Sequence, residues 1–345
     1  MIRDLNFKER DNVFIIAELS ANHNGSIEIA IKTIKAAKRA GADAIKLQTY
    51  TADTLTLDCN RADFVIKGGS IWDGQKYYDL YKQAYTPWEW HQKLFDIAKE
   101  EGLVCFSSPF DKGAVDLLEE LDNPIYKIAS FEITDIPLIK YVASKGKPII
   151  ISTGIATTED IELALKTCKE AGNNQITLLK CTSSYPAPIA EANLIMIRDL
   201  AERYGVITGL SDHTLGITAP VVAVTQGAKI IEKHFILDKS IGGPDASFSL
   251  DEKEFTKMVE AVREAELAIG QIDYTLTDKQ KQGKNFSRSL YIAKDVKKGD
   301  LVTHENLRSV RPGHGMHPKH LPLLLGKRYT KDCIAGTRAN DQLFD

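Results

Sequence analysis

A (β/α)8 barrel of the TIM type, followed by a small C-terminal β-rich domain, is the fold this α/β sequence predicts. Three observations lead there. Strand-like and helix-like segments alternate between residue 13 and about residue 270, and eight such units over about 250 residues match a TIM barrel. Polar residues cluster where each strand-like run gives out. No Gly-rich phosphate loop follows the first strand, where Ala17-Glu18-Leu19-Ser20 stands, which disfavours a doubly wound open sheet.

The strands are read at 13–17, 44–47, 103–106, 125–129, 148–151, 176–179, 206–209 and 229–233, all rich in apolar and β-branched residues as buried parallel strands are. Helix-period segments lie between them at 29–39, 88–101, 160–171 and 190–204. Thr86-Pro87-Trp88-Glu89 reads as a capping box with Pro at the first helical position, and Ser249-Leu250-Asp251-Glu252 as a second box. Two features break the alternation. Residues 51–85 form a long excursion, and its aromatics (Trp72, Tyr77, Tyr78, Tyr81) either cover a ligand or pack the loop onto the barrel. After Gly270 comes a polar stretch rich in Lys, Gln and Asp, read as a linker. The expected organisation is residues 1–272 as the barrel, 273–285 as the linker and 286–345 as a small domain. A domain of about 60 residues is near the lower limit of independent stability, so it is expected to dock on something.

The bounds are those of an ordinary soluble protein: 345 residues, 43% hydrophobic and 26% charged. A net charge of -3 gives no basic surface for nucleic acid. The N-terminal residues are charged and lack the apolar core of a signal peptide, and no apolar run is long enough for a membrane span. Five cysteines without CxxC spacing fit a reducing, cytoplasmic setting.

The rim chemistry follows from what ends each strand. Glu18 closes the first. Lys46 and Gln48 have period-two spacing and face one side. Later strands bring Ser107 and Ser108; Lys127, Ser130 and Glu132; Ser152; Lys180, Ser183 and Tyr185; Ser211, Asp212 and His213; then Glu232 and His234. Lysines and glutamates are seldom buried unless paired or functional. The carboxyl end of a barrel is where active sites lie. His213 and His234 end two strands expected to be neighbours, so they either hold a divalent metal or are satisfied by local hydrogen bonds. The cationic and hydroxyl donors Lys46, Lys127, Ser130, Ser152, Ser183 and Ser211 suit a phosphate or carboxylate ligand. Glu18 and Glu132 could serve as acid or base. A phosphate-bearing carboxylate beside a polarised carbonyl suggests carbon–carbon bond formation or cleavage.

AELSANHNGS, GADAIKLQTY, KIASFE, STGIAT, CTSSYPAP, GLSDHT and EKHF, in this order, resemble the sialic acid synthase family over nearly the whole chain. The C-terminal segment resembles that family's antifreeze-like (SAF) domain. FVIKGG, WDG, YDLY and TPWEWH resemble its pseudaminic acid synthase branch. The resemblance implies condensation of phosphoenolpyruvate (PEP) with an N-acetylated amino sugar, by C–O cleavage of PEP. It assigns Lys46, Lys127, Ser130, Ser152, Ser183 and Ser211 to PEP, and Gln48, Tyr185, Asp245 and Arg311 to the sugar. His213 and His234 match ligands of a divalent metal (Mn, Co or Mg), and Glu18 and Glu132 match carboxylates that handle water or protons. It further implies a domain-swapped homodimer in which Arg311 reaches the partner's barrel. Gly243-Pro244-Asp245-Ala246 departs from the family's Gly-Pro-Asp-His. The alternatives are a synthase acting on N-acetylmannosamine or on the manno-type diacetamido sugar, a Schiff-base aldolase using Lys127 or Lys180, and a non-catalytic sugar-binding or ice-binding module.

Overall fold

A computed structural model describes Phe7 and residues 10–345. The chain divides into two compact units, Met1–Gly270 and Gln271–Asp345.

In the first unit eight parallel strands close a barrel in sequence order. They are β1 (Phe14–Glu18), β2 (Ala44–Thr49), β3 (Val104–Pro109), β4 (Tyr126–Ile128), β5 (Ile149–Ser152), β6 (Ile176–Cys181), β7 (Ile207–Asp212) and β8 (Ile230–His234). β8 closes on β1 with Phe14 opposite Ile230 and Glu18 opposite His234. Alternate residues of each strand face in or out. Inward, Phe14, Ile16, Ala44, Phe106, Ile125, Ile150, Leu179 and Ile230 fill the lower barrel together with Phe7. Outward, Ile15, Ala17, Ile45, Leu47, Ile149, Ile151 and Leu178 pack under the helical layer. Gly209 is required by this packing. A Cβ there would overlap the Ile230 carbonyl oxygen and come within 2.8 Å of a Leu179 methyl.

Helix Ile27–Arg39 starts at the Ser26 cap, and Thr158–Glu170 and Glu252–Ile269 start at capping boxes built on Thr157 and Asp251. Both boxes expected from sequence are absent. Thr86 spends its hydroxyl on His23 Nε2 at 3.3 Å, and helix His91–Glu100 is entered through a 3-10 turn without a side-chain cap. Ser249 turns inward, donating to the Asp245 carbonyl and accepting from Asn22, so the box moves two residues on, to Asp251 and Glu254.

The excursion between β2 and helix His91–Glu100 carries its own structure: short helix Ala52–Leu55, an antiparallel bridge between Val65 and Lys76, and helix Tyr77–Ala84. Tyr81 packs edge-on against Tyr50 on the barrel.

The second unit pairs β9 (Ser289–Ile292) with β10 (Leu307–Val310) antiparallel. Leu290, Ile292, Val296, Val302, Leu307, Tyr329 and Leu343 form its core. Thr277 caps a short helix, Asp278–Gly283, at its start. No helix among the described residues is long and apolar enough to cross a membrane.

Candidate active site

Above the apolar plug the barrel interior turns charged. Lys46 Nζ lies 2.7 Å from Glu18 Oε2 and 3.1 Å from Glu232 Oε1, and Lys127 Nζ lies 3.6 Å from the same Glu232 oxygen. Ser211 donates to Glu232 at 3.0 Å, and Lys127 donates to Ser152 at 2.7 Å. All six residues are buried. Removing charges from water is costly, so ions survive there only when compensated. Burial pulls Lys46 down to about 7, partly offset by Glu232. Glu232 is held low: burial opposes its charge, but Lys127 and Lys46 outweigh that. This floor is therefore two lysines set against two glutamates, with hydroxyls around them. In the sequence Glu232 stands out only as a glutamate inside an apolar run; its place as the shared counter-ion of both lysines depends on barrel closure.

One layer higher stand the histidines. His213 follows β7 and His234 ends β8, with ring centroids 5.3 Å apart. His213 Nδ1 lies 3.1 Å from the Thr182 carbonyl. Donation to that carbonyl fixes the tautomer and leaves Nε2 free, the usual arrangement for an imidazole ligand. His234 Nδ1 is buried without a hydrogen-bond partner, 3.6 Å from Asp245 Oδ2. Burial, and then His213, hold His234 well below its ordinary value, so it is neutral. Two imidazoles with free nitrogens fit a divalent metal. Among the described residues no group of three or more His, Cys, Asp or Glu is arranged to hold one, so the protein's share of the coordination would be these two rings. Cys181 Sγ is 3.7 Å from His213 Nδ1.

Around this centre opens a cavity of about 680 Å³ lined by Gln48, Glu132, Ser183, Tyr185, His234 and Asp245, among others. Its size suits a small-molecule ligand. Gln48 donates to Glu18 at 3.1 Å and to Ser20 at 3.0 Å. Asp245 accepts from the Ala21 amide at 3.3 Å. Tyr185 lies against His213 at 4.4 Å between centroids. Phe248 meets both His234 (4.9 Å) and Tyr185 (5.1 Å); sequence reasoning missed it, and nothing local in Ala-Ser-Phe-Ser marks it. Ser130 accepts from the Gly154 amide at 3.1 Å. Any side chain at Gly154 would overlap Ser183 Oγ and approach Ser130 Oγ within 2.8 Å, so the glycine lets three strand ends converge. Glu132 has one buried carboxylate oxygen without a partner. Burial pushes it up to about 7, against the pull of Lys127.

The barrel thus brings together thirteen of the fourteen residues that the motifs single out. The exception is Arg311, which is exposed in the second unit directly after β10. Two residues read as rim residues face away from the interior. Lys180 donates to the Cys181 carbonyl at 2.5 Å and to Thr182 at 3.2 Å, which removes it as a Schiff-base lysine. Asp212 accepts from Lys233 at 2.5 Å behind the barrel wall. The excursion supplies one wall of the cavity, including Ile66, Gly69, Ser70 and Trp72.

Residues 33–274 match the model of the NeuB family, and residues 287–337 match the SAF domain. The chain is 51% identical over 339 residues to a pseudaminic acid synthase of Campylobacter jejuni, covering 98% of each chain. It is 46% identical over 324 residues to one of Helicobacter pylori, covering 94% of this chain and 95% of that one. Among solved structures it resembles an N-acetylneuraminic acid synthetase of Leptospira borgpetersenii in complex with citrate. That likeness has a TM-score of 0.70 and 31% identity, and covers 79% of this chain and 90% of the other.

Proposed function

The chain belongs to the NeuB family, and from that premise we propose that it is a pseudaminic acid synthase. It condenses PEP, 2,4-diacetamido-2,4,6-trideoxy-L-altrose in its aldehyde form, and water into pseudaminic acid and phosphate. The observation that carries this reading is about half identity, over nearly the full chain, to relatives of that name. A floor of paired lysines and glutamates beneath a sugar-sized cavity agrees with it.

In bond terms, the methylene carbon of PEP bonds to the aldehyde carbon, whose oxygen takes up a proton. Water adds at C2 of PEP and loses a proton. The C–O bond to phosphate then breaks as the hydroxyl proton passes to the departing phosphate, leaving a ketone. Lys46 and Lys127, with Ser130, Ser152, Ser183 and Ser211, hold the anionic groups of PEP. These contacts persist from ground state to product, so they chiefly supply binding. Glu132, held near neutrality at its ionisation point, is suited to move the proton of the water or of the new hydroxyl. Glu18 is held by Lys46 and Gln48 and orients both. Gln48, Tyr185 and Asp245 shape the sugar side. His213 and His234 would hold the divalent metal, which supplies Lewis-acid polarisation of a carbonyl. The assembly that goes with this reading is a homodimer, with Arg311 serving the partner's sugar site.

Phosphate release from PEP tests the reading, with a panel of N-acetylmannosamine and the altro- and manno-type diacetamido sugars, each with and without EDTA. Metal-dependent release with the altro sugar is the expected result. Release only with N-acetylmannosamine or only with the manno sugar would move the substrate to another branch. No release with any of them would overturn the synthase reading.

A further inference from the structure

We propose that Trp72 selects the substrate, its indole N–H donating to the carbonyl oxygen of the acetamido group farther from the aldehyde. The inference rests on the substrate reading above and adds a specificity residue that the sequence motifs leave undecided.

The first observation is an unmet donor. Trp72 Nε1 is buried and has no hydrogen-bond partner, whereas a buried indole N–H usually finds one. The indole lines the cavity, so an acceptor brought by a ligand can complete it.

The second is position. The indole lies 5.6 Å from the Tyr185 ring and 6.4 Å from Phe248. Those two rings in turn touch His213 and His234. Trp72 therefore stands one aromatic ring beyond the histidines. A sugar whose aldehyde reacts at the histidines presents a substituent several bonds further along to Trp72, and in the diacetamido sugar that is the second acetamido group.

The third is chemistry. An indole is a donor only, and Tyr185, Phe248, Ile66, Ile71 and Leu80 line the same space. An acetamido group offers a carbonyl acceptor and a methyl for such a wall. A hydroxyl in its place would accept the bond but leave its own proton facing apolar atoms, which is costly.

The fourth is rigidity. Residues 66–75 form a hairpin-like turn, with Ile66 and Gly74 bonded across it. Asp73 accepts from the Gly68, Gly69 and Ser70 amides and from the Ser70 hydroxyl at 2.7–3.2 Å. Gly68 and Gly69 have φ of +140° and +82°, which few other residues adopt. The turn holds Trp72 in place before any ligand arrives, so recognition is preorganised.

The experiment compares two sugars on the full chain: the diacetamido altro sugar, and its analogue with a hydroxyl replacing the 4-acetamido group. Trp72→Phe keeps an aromatic ring, smaller than the indole, and removes the N–H. It should lower kcat/KM for the diacetamido sugar by about tenfold to a hundredfold, mainly through KM, change the analogue by less than about threefold, and leave the PEP KM as it was. Asp73→Ala leaves the indole but unpins the turn, and should shift the same ratio in the same direction. Equal losses on both sugars would mean that Trp72 only packs the wall, and unchanged kinetics would mean that it reads nothing; either overturns the proposal. If the wild-type chain releases phosphate with neither sugar, the substrate reading itself fails and takes this inference with it.

Discussion

Glu132→Gln separates a titrating carboxylate from the charged floor beneath it. Burial raises Glu132 to about 7 in the ligand-free protein. With that value the carboxyl is about one-tenth ionised at pH 6 and about nine-tenths at pH 8. A general base at this position therefore gives kcat/KM a rise of about tenfold across that window, because kcat/KM reports the free enzyme's ionisations. Glutamine cannot titrate. The variant should lose about 10²- to 10⁴-fold in kcat, the usual worth of a positioned acid or base, and should lose the pH slope with it. Its folding should hardly suffer at neutral pH and below, since a protonated glutamate and a glutamine have nearly the same shape. A raised carboxyl contributes stability that is full below its unfolded-state value and is lost as pH rises through about 7. The variant's stability should accordingly vary less than wild type's between pH 5 and 8. Steady-state phosphate release from pH 5.5 to 8.5, beside urea unfolding at both ends, measures all three. A wild-type pH slope surviving in the glutamine variant would refute the assignment of that ionisation to Glu132.

Glu232→Gln should behave oppositely. It leaves two buried lysines with only Glu18 against them, and breaking a buried ion pair costs about 3–5 kcal/mol; a loss under about 1 kcal/mol in urea unfolding would mean the floor is not an ion cluster in solution. Gly209→Ala pushes a methyl onto the Ile230 carbonyl of the adjacent strand, and should cost about 3 kcal/mol, read as a lowered midpoint in the same assay. Unchanged stability would show that β7 and β8 can separate without penalty. His234→Ala should weaken Mn2+ binding, followed by electron paramagnetic resonance of the free ion, at least about tenfold, because of the two imidazoles only His213 would be left; equal affinity would remove His234 from the metal.

The eight strands were legible because each is an apolar, β-branched run with a helix-length gap behind it. Their carboxyl ends were less so. β6, β7 and β8 continue to Cys181, Asp212 and His234, past the point where hydrophobicity stops. Glu18, Ser211, Glu232 and His234 are themselves strand residues, held by ladder hydrogen bonds to their neighbours. Phase was the second obscurity. A strand buried on both faces has no polar side to mark inward from outward. That is why Lys180, which faces out, looked equivalent to Lys127, which faces in. In each case the deciding information is a non-local contact: Leu179 in the lower plug sets the phase of β6, and Glu232 on β8 chooses the neighbours of Lys46 on β2 and Lys127 on β4. The same holds for the excursion. Its aromatics were visible, yet whether they served packing or a ligand depended on which met the barrel wall. Tyr81, edge-on to Tyr50, and Trp72, beside Tyr185 and Phe248, both line the cavity, and Trp72 keeps its N–H unpaired there. Residue types that carry chemistry can be picked out along the chain, because a lysine or glutamate interrupting an apolar run has few structural excuses. Which of them act, and on what, depends on partners that only barrel closure brings within reach.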